Sequence, residues 1–371
     1  SFKEDIRARC MLGAQVSSLN DPRPHLCAIL RGESTHLPVG EGRDLLLAAA
    51  RAHRVDRLVA WRTGQIDDEH RAAAIVDEVE VRELNRVLAS LEAHGVVPLV
   101  LKGAALAHTH YLESWLRPRL DADLLIPDSQ RQLVTDVLRG LGYVRPLLIS
   151  GELVMYQMAF ARVSPVGEMH LDVHWRVANP QTLADMPNYE ELASRACSIS
   201  VRGQSVRSPC PADGLLLACV HRAAHHSLSN DLIWLYDIHL LAERFSASEW
   251  AHFVALATRH RVRSLCSSGL LAAQEGFHTP IPREVVSRLT GFAQGTERSA
   301  VYLRKDLTRL DRLMADLRVL GLRARLRLLF EHLIPPAGYI SEKYSVRHRS
   351  LLPLYYLRRV VQGIGHWARA S

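Results

Sequence analysis

Cysteine is sparse and never placed where a metal could use it. The six cysteines, Cys10, Cys27, Cys197, Cys210, Cys219 and Cys266, form no CxxC pair. That excludes zinc ribbons and dithiol redox motifs. Their mostly apolar neighbours predict buried thiols in a reducing compartment. Lysine is scarcer, with four residues among 46 basic ones. No apolar run approaches the roughly 18 residues that would span a bilayer. Neither an internal repeat nor a low-complexity tract occurs. The opening residues, Ser1-Phe2-Lys3-Glu4-Asp5, are no secretory signal. Without an initiator Met, they read as a trimmed terminus or a tag remnant. A soluble cytoplasmic protein is the expectation.

What is present is enough for a substantial core. The chain has 371 residues, of which 48% are hydrophobic, and carries a net charge of +7 with a pI near 9.2. Charge scattered over many helices is the plainer account of that excess. A partner rich in phosphate or carboxylate is the sharper one.

The hydrophobic period changes twice along the chain. Residues 1–40 predict one short helix and loop. Over residues 41–95, apolar positions such as Val81, Leu84, Val87, Leu88 and Leu91 recur at helical steps, and Gly95 closes the last helix. "VVPLVLKG" (96–103) then reads as a strand, followed by a helix in "AALAHTHYLESW". Residues 119–126 are a second strand. A helix over 129–141 has Asp128 placed to cap it. "YVRPLLI", "LVMYQMAFARV" and "EMHLDVHWRV" predict further strands. A short helix follows near 187–197, and "ISVRGQSVRS" is a hairpin turning at Gly203. Beyond Pro211 the pattern is helical, broken at "IPPAGY" (334–339). The predicted class is α+β: a helical lead-in (1–95), a small mixed-sheet unit (96–210) and a mostly helical C-terminal half (211–371).

Three features of the small unit fit one chemistry. Lys102-Gly103 sits at a strand-to-helix turn, where glycine lets backbone approach a ligand and the helix N-terminus offers free N–H groups. Asp121 and Asp123 open an apolar strand. Alternation sends them to one face, about 7 Å apart, where two like charges repel unless a cation lies between them. In "HLDVHW", Met169, Leu171, Val173 and Trp175 alternate with His170, Asp172, His174 and Arg176, so one face is apolar and the other polar. If the strands are neighbours, Asp172 joins the first two carboxylates. Three carboxylates suit two Mg²⁺ ions, with Mn²⁺ as substitute.

Strand–Gly–helix, then Asp-x-Asp, then a third Asp on a later strand resembles the DNA polymerase β-like nucleotidyltransferases. The series "LKGAALA…DADLLI…GY…LDVHWR…HRAAHH…WLYDIHLLAE" is similar, more closely, to a bacterial group of uncharacterised nucleotidyltransferases, over about residues 80–245. The resemblance implies a metal-dependent transfer of NMP from an NTP donor to a hydroxyl-type acceptor, with release of pyrophosphate. It implies that Gly103 admits the triphosphate, that Asp121 and Asp123 ligate both metals, and that Asp172 ligates the catalytic one and helps deprotonate the acceptor. The turn departs from the usual Gly-Ser or Gly-Gly, since Ala104 follows Gly103. A phosphate hydrogen bond is lost there, and Lys102 offers a point charge in its place.

Several residues keep two interpretations. Arg117 and Arg119 are candidates for phosphate or carboxylate contact, with ion pairing to the aspartates as the competitor. His174 would orient Asp172 or touch the acceptor, or be structural. Asp237 is a buried hydrogen-bonded carboxylate or a base on the acceptor side. His221 and His225 are one helical turn apart but lack a zincin glutamate, which disfavours zinc. Their helix and the next, with Trp234 and Leu235 as core, are expected to pack on the small unit and wall its cleft. The acceptor is expected to be a small molecule or peptide. An RNA substrate, or a binding protein that has lost turnover, are the alternatives. The Arg- and Tyr-containing tail (347–369) invites a nucleic-acid or membrane interpretation, with neither favoured over a solvated helix.

Overall fold

The protein is described here from a computed structural model covering residues 21–145, 151–224, 231–291, 297–304 and 306–367. The lead-in contains helices α1 (Arg23–Arg31), α2 (Glu41–Ala52), α3 (Asp56–Thr63) and α4 (Asp68–Ala93). Asp67 caps α4 by accepting the His70 N–H at 3.0 Å. Gly95, at φ +77°, adopts the left-handed conformation that ends it.

A mixed six-stranded sheet follows. Its strands are β1 (Leu99–Leu101), β2 (Ala122–Leu125), β3 (Gln157–Ser164), β4 (Gly167–His174), β5 (Cys197–Val201) and β6 (Gln204–Ser208). Their spatial order is β3-β4-β2-β1-β6-β5. β2 lies antiparallel to β1 and parallel to β4. Helix α5 (Lys102–Thr109) leaves β1 directly. α6 (Arg131–Gly140) separates β2 from β3, and α7 (Tyr189–Arg195) precedes the β5–β6 hairpin. That hairpin turns on Arg202 and Gly203, both at positive φ, as a two-residue primed turn demands.

The C-terminal half is helical. It comprises α8 (Pro211–Ala224), α9 (Leu232–Ala242), α10 (Ala247–Arg259), α11 (Arg263–Phe277), α12 (Arg283–Thr290), α13 (Arg309–Val319), α14 (Leu322–Leu333), α15 (Ala337–Lys343) and α16 (Leu352–Trp367). The break at "IPPAGY" falls between α14 and α15, as the two prolines require.

The core divides along the sheet. Val100, Leu124, Leu171 and Val173 pack with Val81, Leu84 and Leu88 of α4 and Val134 of α6. The alternate residues Leu99, Leu101 and Leu125 pack with Leu215, Leu216 and Cys219 of α8. Alternation along β2 therefore puts Asp123 on the same face as Leu125, the face covered by α8.

Some expectations need correction. Asp128 makes no side-chain cap: a 3-10 turn (Asp128–Gln130) precedes α6, and the carboxylate pairs with Arg131 at 2.8 Å instead. β1 is three residues long because the helix begins at Lys102. Of "YVRPLLI", Val144 bridges Ala161, while residues 146–150 lie outside the described ones. Cys27, Cys219 and Cys266 are buried, but Cys197 is exposed on β5 and Cys210 half-buried; Cys10 lies outside the described residues.

Candidate active site

The strand register assembles the polar residues. Asp123 of β2 stands opposite Asp172 of β4, and Leu125 opposite His174. One step of alternation brings Asp172 and His174 to the face that carries Asp123. The His174 Nε2 lies 2.7 Å from Asp123 Oδ1. One ligand atom from each of Asp123, Asp172 and His174 can be chosen so that all lie within 4.8 Å of one another. Gln157, from the neighbouring β3, donates to Asp172 Oδ2 at 2.9 Å and orients it.

Lys102 enters from the end of β1. Its backbone adopts φ +51°, a left-handed conformation that costs a non-glycine residue about 1 kcal/mol or more. The result is a sharp strand-to-helix turn that sends the Lys102 Nζ to Asp123 Oδ1 at 2.7 Å. Gly103 follows. A Cβ there would sit 3.5 Å from the Arg117 guanidinium, so the first turn of α5 rests directly against that cation.

The electrostatics are uneven. Burial and then the charges of Asp123 and Asp172 push the Asp121 carboxyl up to about 6. Asp121 is nevertheless exposed at the strand entrance, which leaves the mutual repulsion as the part a cation would relieve. Burial works against ionisation of Asp123 too, but Lys102 and the His174 hydrogen bond outweigh it and hold that carboxyl far below the usual range. Burial and then Lys102 lower the His174 imidazole, against the pull of Asp123, so it is neutral at pH 7. Neutral imidazole beside carboxylate oxygens is a donor set for a divalent cation.

The other predicted residues lie around this centre. Arg117 and Arg119 do not pair with Asp121 or Asp123. Arg117 forms a buried two-pronged contact with Asp237 of α9, with Nη2 to Oδ2 at 2.6 Å and Nε to Oδ1 at 2.9 Å. The Tyr111 hydroxyl also donates to Asp237 at 2.7 Å. Asp237 is thus the buried, hydrogen-bonded carboxylate of the two interpretations offered by the sequence. Arg119 pairs with Asp77 and lies near Glu80 of α4. Ala104 is buried in the apolar layer with Val100 and Leu124. Leu235 is core, and Trp234 packs beside it. The His221 ring meets Trp234 edge-on at 5.3 Å; His225 lies outside the described residues.

Two polar groups escaped the sequence, one on the centre and one at a cavity that reaches only Asp121 of it. Gln157 sits on β3, with nothing in its neighbours to mark it. His108 of α5 lines a cavity of about 30 Å³ together with Asp121, Arg119 and His170. Burial and then Arg119 lower it to about 4. Its Nε2 has no hydrogen-bond partner among the described residues. Its position on the same short helix as Lys102 and Gly103 was the available signal.

Comparison with known proteins adds the family. No curated protein matches the chain. The solution structure of the antibiotic-resistance factor ANT(2'')-Ia is similar over 51% of this chain and 96% of that one, at 17% identity and a TM-score of 0.36, a likeness too slight to argue from. The family model described as "Uncharacterised nucleotidyltransferase" matches residues 42–278, which run from α2 through the sheet to the end of α11. With the match covering well over half of its length, the chain belongs to that uncharacterised nucleotidyltransferase family.

Proposed function

We propose that this protein transfers a nucleoside monophosphate from an NTP to a hydroxyl of a small molecule or peptide, releasing pyrophosphate. The observation that carries the proposal is the register of Asp123 with Asp172, which gathers carboxylates and His174 beside the Lys102-Gly103 turn. Asp121, Asp123 and Asp172, with His174 alongside, would hold Mg²⁺, two ions in the full arrangement. When bound, divalent cations supply positive charge to the phosphate oxygens.

The residues of the chain divide the remaining work. The first turn of α5, with Arg117 lying against Gly103, would offer its free N–H groups to the triphosphate. Lys102 supplies a mobile cation within reach of both carboxylate and phosphate. Asp172, fixed by Gln157, accepts the proton of the acceptor hydroxyl as that oxygen bonds to the α-phosphorus and the bond to the β-phosphate breaks. Arg117 and Arg119 act from behind as positioning residues. Arg117 braces the Gly103 turn, and Arg119 fixes the loop before β2 to α4.

The test needs no acceptor. Thermal stability is measured against ATP, GTP, CTP and UTP, with and without Mg²⁺, for the wild type and Asp123→Asn. A ligand that binds only the folded state at 100 times its Kd stabilises by about 2.7 kcal/mol. A Mg²⁺-dependent rise with at least one nucleotide, absent in the variant, is the expected result. A wild type that responds to none, or a variant that responds equally, overturns the proposal.

A further inference from the structure

The C-terminal helices carry large apolar side chains on their outward sides. α14 sends Leu328 and Glu331 inward, at 1% and 9% exposure. Its outward side is apolar: Leu322, Leu326 and Phe330 are 72%, 61% and 57% exposed. At 100° per residue these three fall on one stripe, with Arg325 on one flank and Arg323 and Arg327 on the other. α16 repeats the arrangement. Tyr356 donates to the Pro335 carbonyl at 2.6 Å and Arg359 to the His332 carbonyl at 3.3 Å, both at the end of α14. The opposite side of α16 presents Leu354, Leu357 and Val361, each more than 60% exposed.

Charge is concentrated in the same segment. Residues 322–361 contain eight arginines and lysines against two glutamates, a net +6 out of +7 for the whole chain. Glu331, one of the two glutamates, faces inward.

We propose that the outward sides of α14 and α16 dock on an anionic lipid surface. Leucine and phenylalanine flanked by arginine on an outward helix face is the composition of a helix lying in the membrane interface. The leucines enter the acyl boundary while the guanidiniums stay at headgroup level, and the net +6 is drawn to anionic headgroups. No helix among the described residues is long and apolar enough to cross a membrane, so the face lies on the bilayer. Other occupants fit less well. A second copy would bring two such arginine-rich segments together, each net +6 over residues 322–361, and like charges oppose that. A nucleic acid would satisfy the arginines but leave the leucines in water. This inference stands independently of the nucleotidyl-transfer proposal.

Vesicle flotation with the full chain tests it. Phosphatidylcholine vesicles are compared with phosphatidylcholine and phosphatidylglycerol mixed at roughly 7:3. The expected result is at least about tenfold stronger association with the anionic vesicles, weakened by added salt. A Leu326→Glu, Phe330→Glu double variant should lose that binding, with its thermal midpoint unchanged because both sites are exposed. Should the double variant fold poorly, Arg323→Glu with Arg325→Glu keeps the apolar stripe and should lose only the preference for anionic vesicles. Val163→Glu, on β3 and 81% exposed, should bind as wild type. Three results would overturn the proposal: no flotation with anionic vesicles, flotation unchanged in both multiple variants, or a wild-type dimer by light scattering that the leucine variant dissolves.

Discussion

Two buried aspartates in this molecule each hold a cation, and they do opposite things with it. Asp237 and Asp123 are 4% and 7% exposed, with cation contacts of 2.6 and 2.7 Å. Asp237 receives a planar guanidinium on both oxygens and a tyrosine hydroxyl besides. Asp123 receives Lys102 and His174 on the single oxygen Oδ1, with Asp121 and Asp172 crowding it. The first arrangement is saturated and joins α9 to the loop before β2. The second is a point charge on a flexible stem beside surplus carboxylates. Burial is alike in both, so the difference rests on how the cation is delivered: a fork across both oxygens of Asp237, against a point charge on one oxygen of Asp123.

Breaking each pair should separate them, beginning with the lock. Asp237→Ala strands a buried guanidinium and should cost about 3–5 kcal/mol, read by urea denaturation. Asp123→Asn should cost less, about 1–3 kcal/mol, because Lys102 retains a path to water, with 18% of its side chain exposed. A loss for Asp123→Asn that equals the loss for Asp237→Ala would collapse the distinction.

Asp316 of α13 accepts the Thr182 N–H at 2.9 Å, and burial, the largest influence, pushes it up to about 6. A raised folded pKa contributes stability that is full below the unfolded value near 4 and fades as pH rises through about 6. Asp316→Asn keeps the acceptor and removes the charge. Its thermal midpoint should therefore gain on the wild type between pH 5 and pH 7, by a few degrees at most; parallel pH profiles would count against this account. The smallest effect belongs to Asp121→Asn. Relief of repulsion, discounted for solvent exposure, should raise the midpoint at neutral pH by about a degree, while any Mg²⁺-dependent nucleotide response falls.

Patterns with a short period were legible before any coordinates. The alternation of "HLDVHW" placed Asp172 and His174 on one face, and the change of period at residue 96 located the sheet. The sheet strands, from Leu99 to Ser208, owe their visibility to local rules of pleat and turn. Partnerships across the chain were not legible: Arg117 finds Asp237 at 120 positions' remove, and Arg119 finds Asp77 at 42. Any carboxylate would have satisfied the sequence, so the nearer Asp121 and Asp123 competed on equal terms. Asp128 illustrates the converse. Its residue type suits a cap, but the intervening 3-10 turn carried the helix start to Arg131.

The strained turn at Lys102 has a consequence for how the protein is handled. By delivering an ammonium to Asp123, it gives the centre an internal counter-ion, so a divalent cation binding there as proposed would displace a charge already in place. The fold of this centre then does not depend on a metal, unlike a structural zinc domain that unfolds when stripped. Exhaustive chelation should therefore leave the melting temperature within about a degree of its starting value, because the ammonium keeps the Asp123 carboxylate paired.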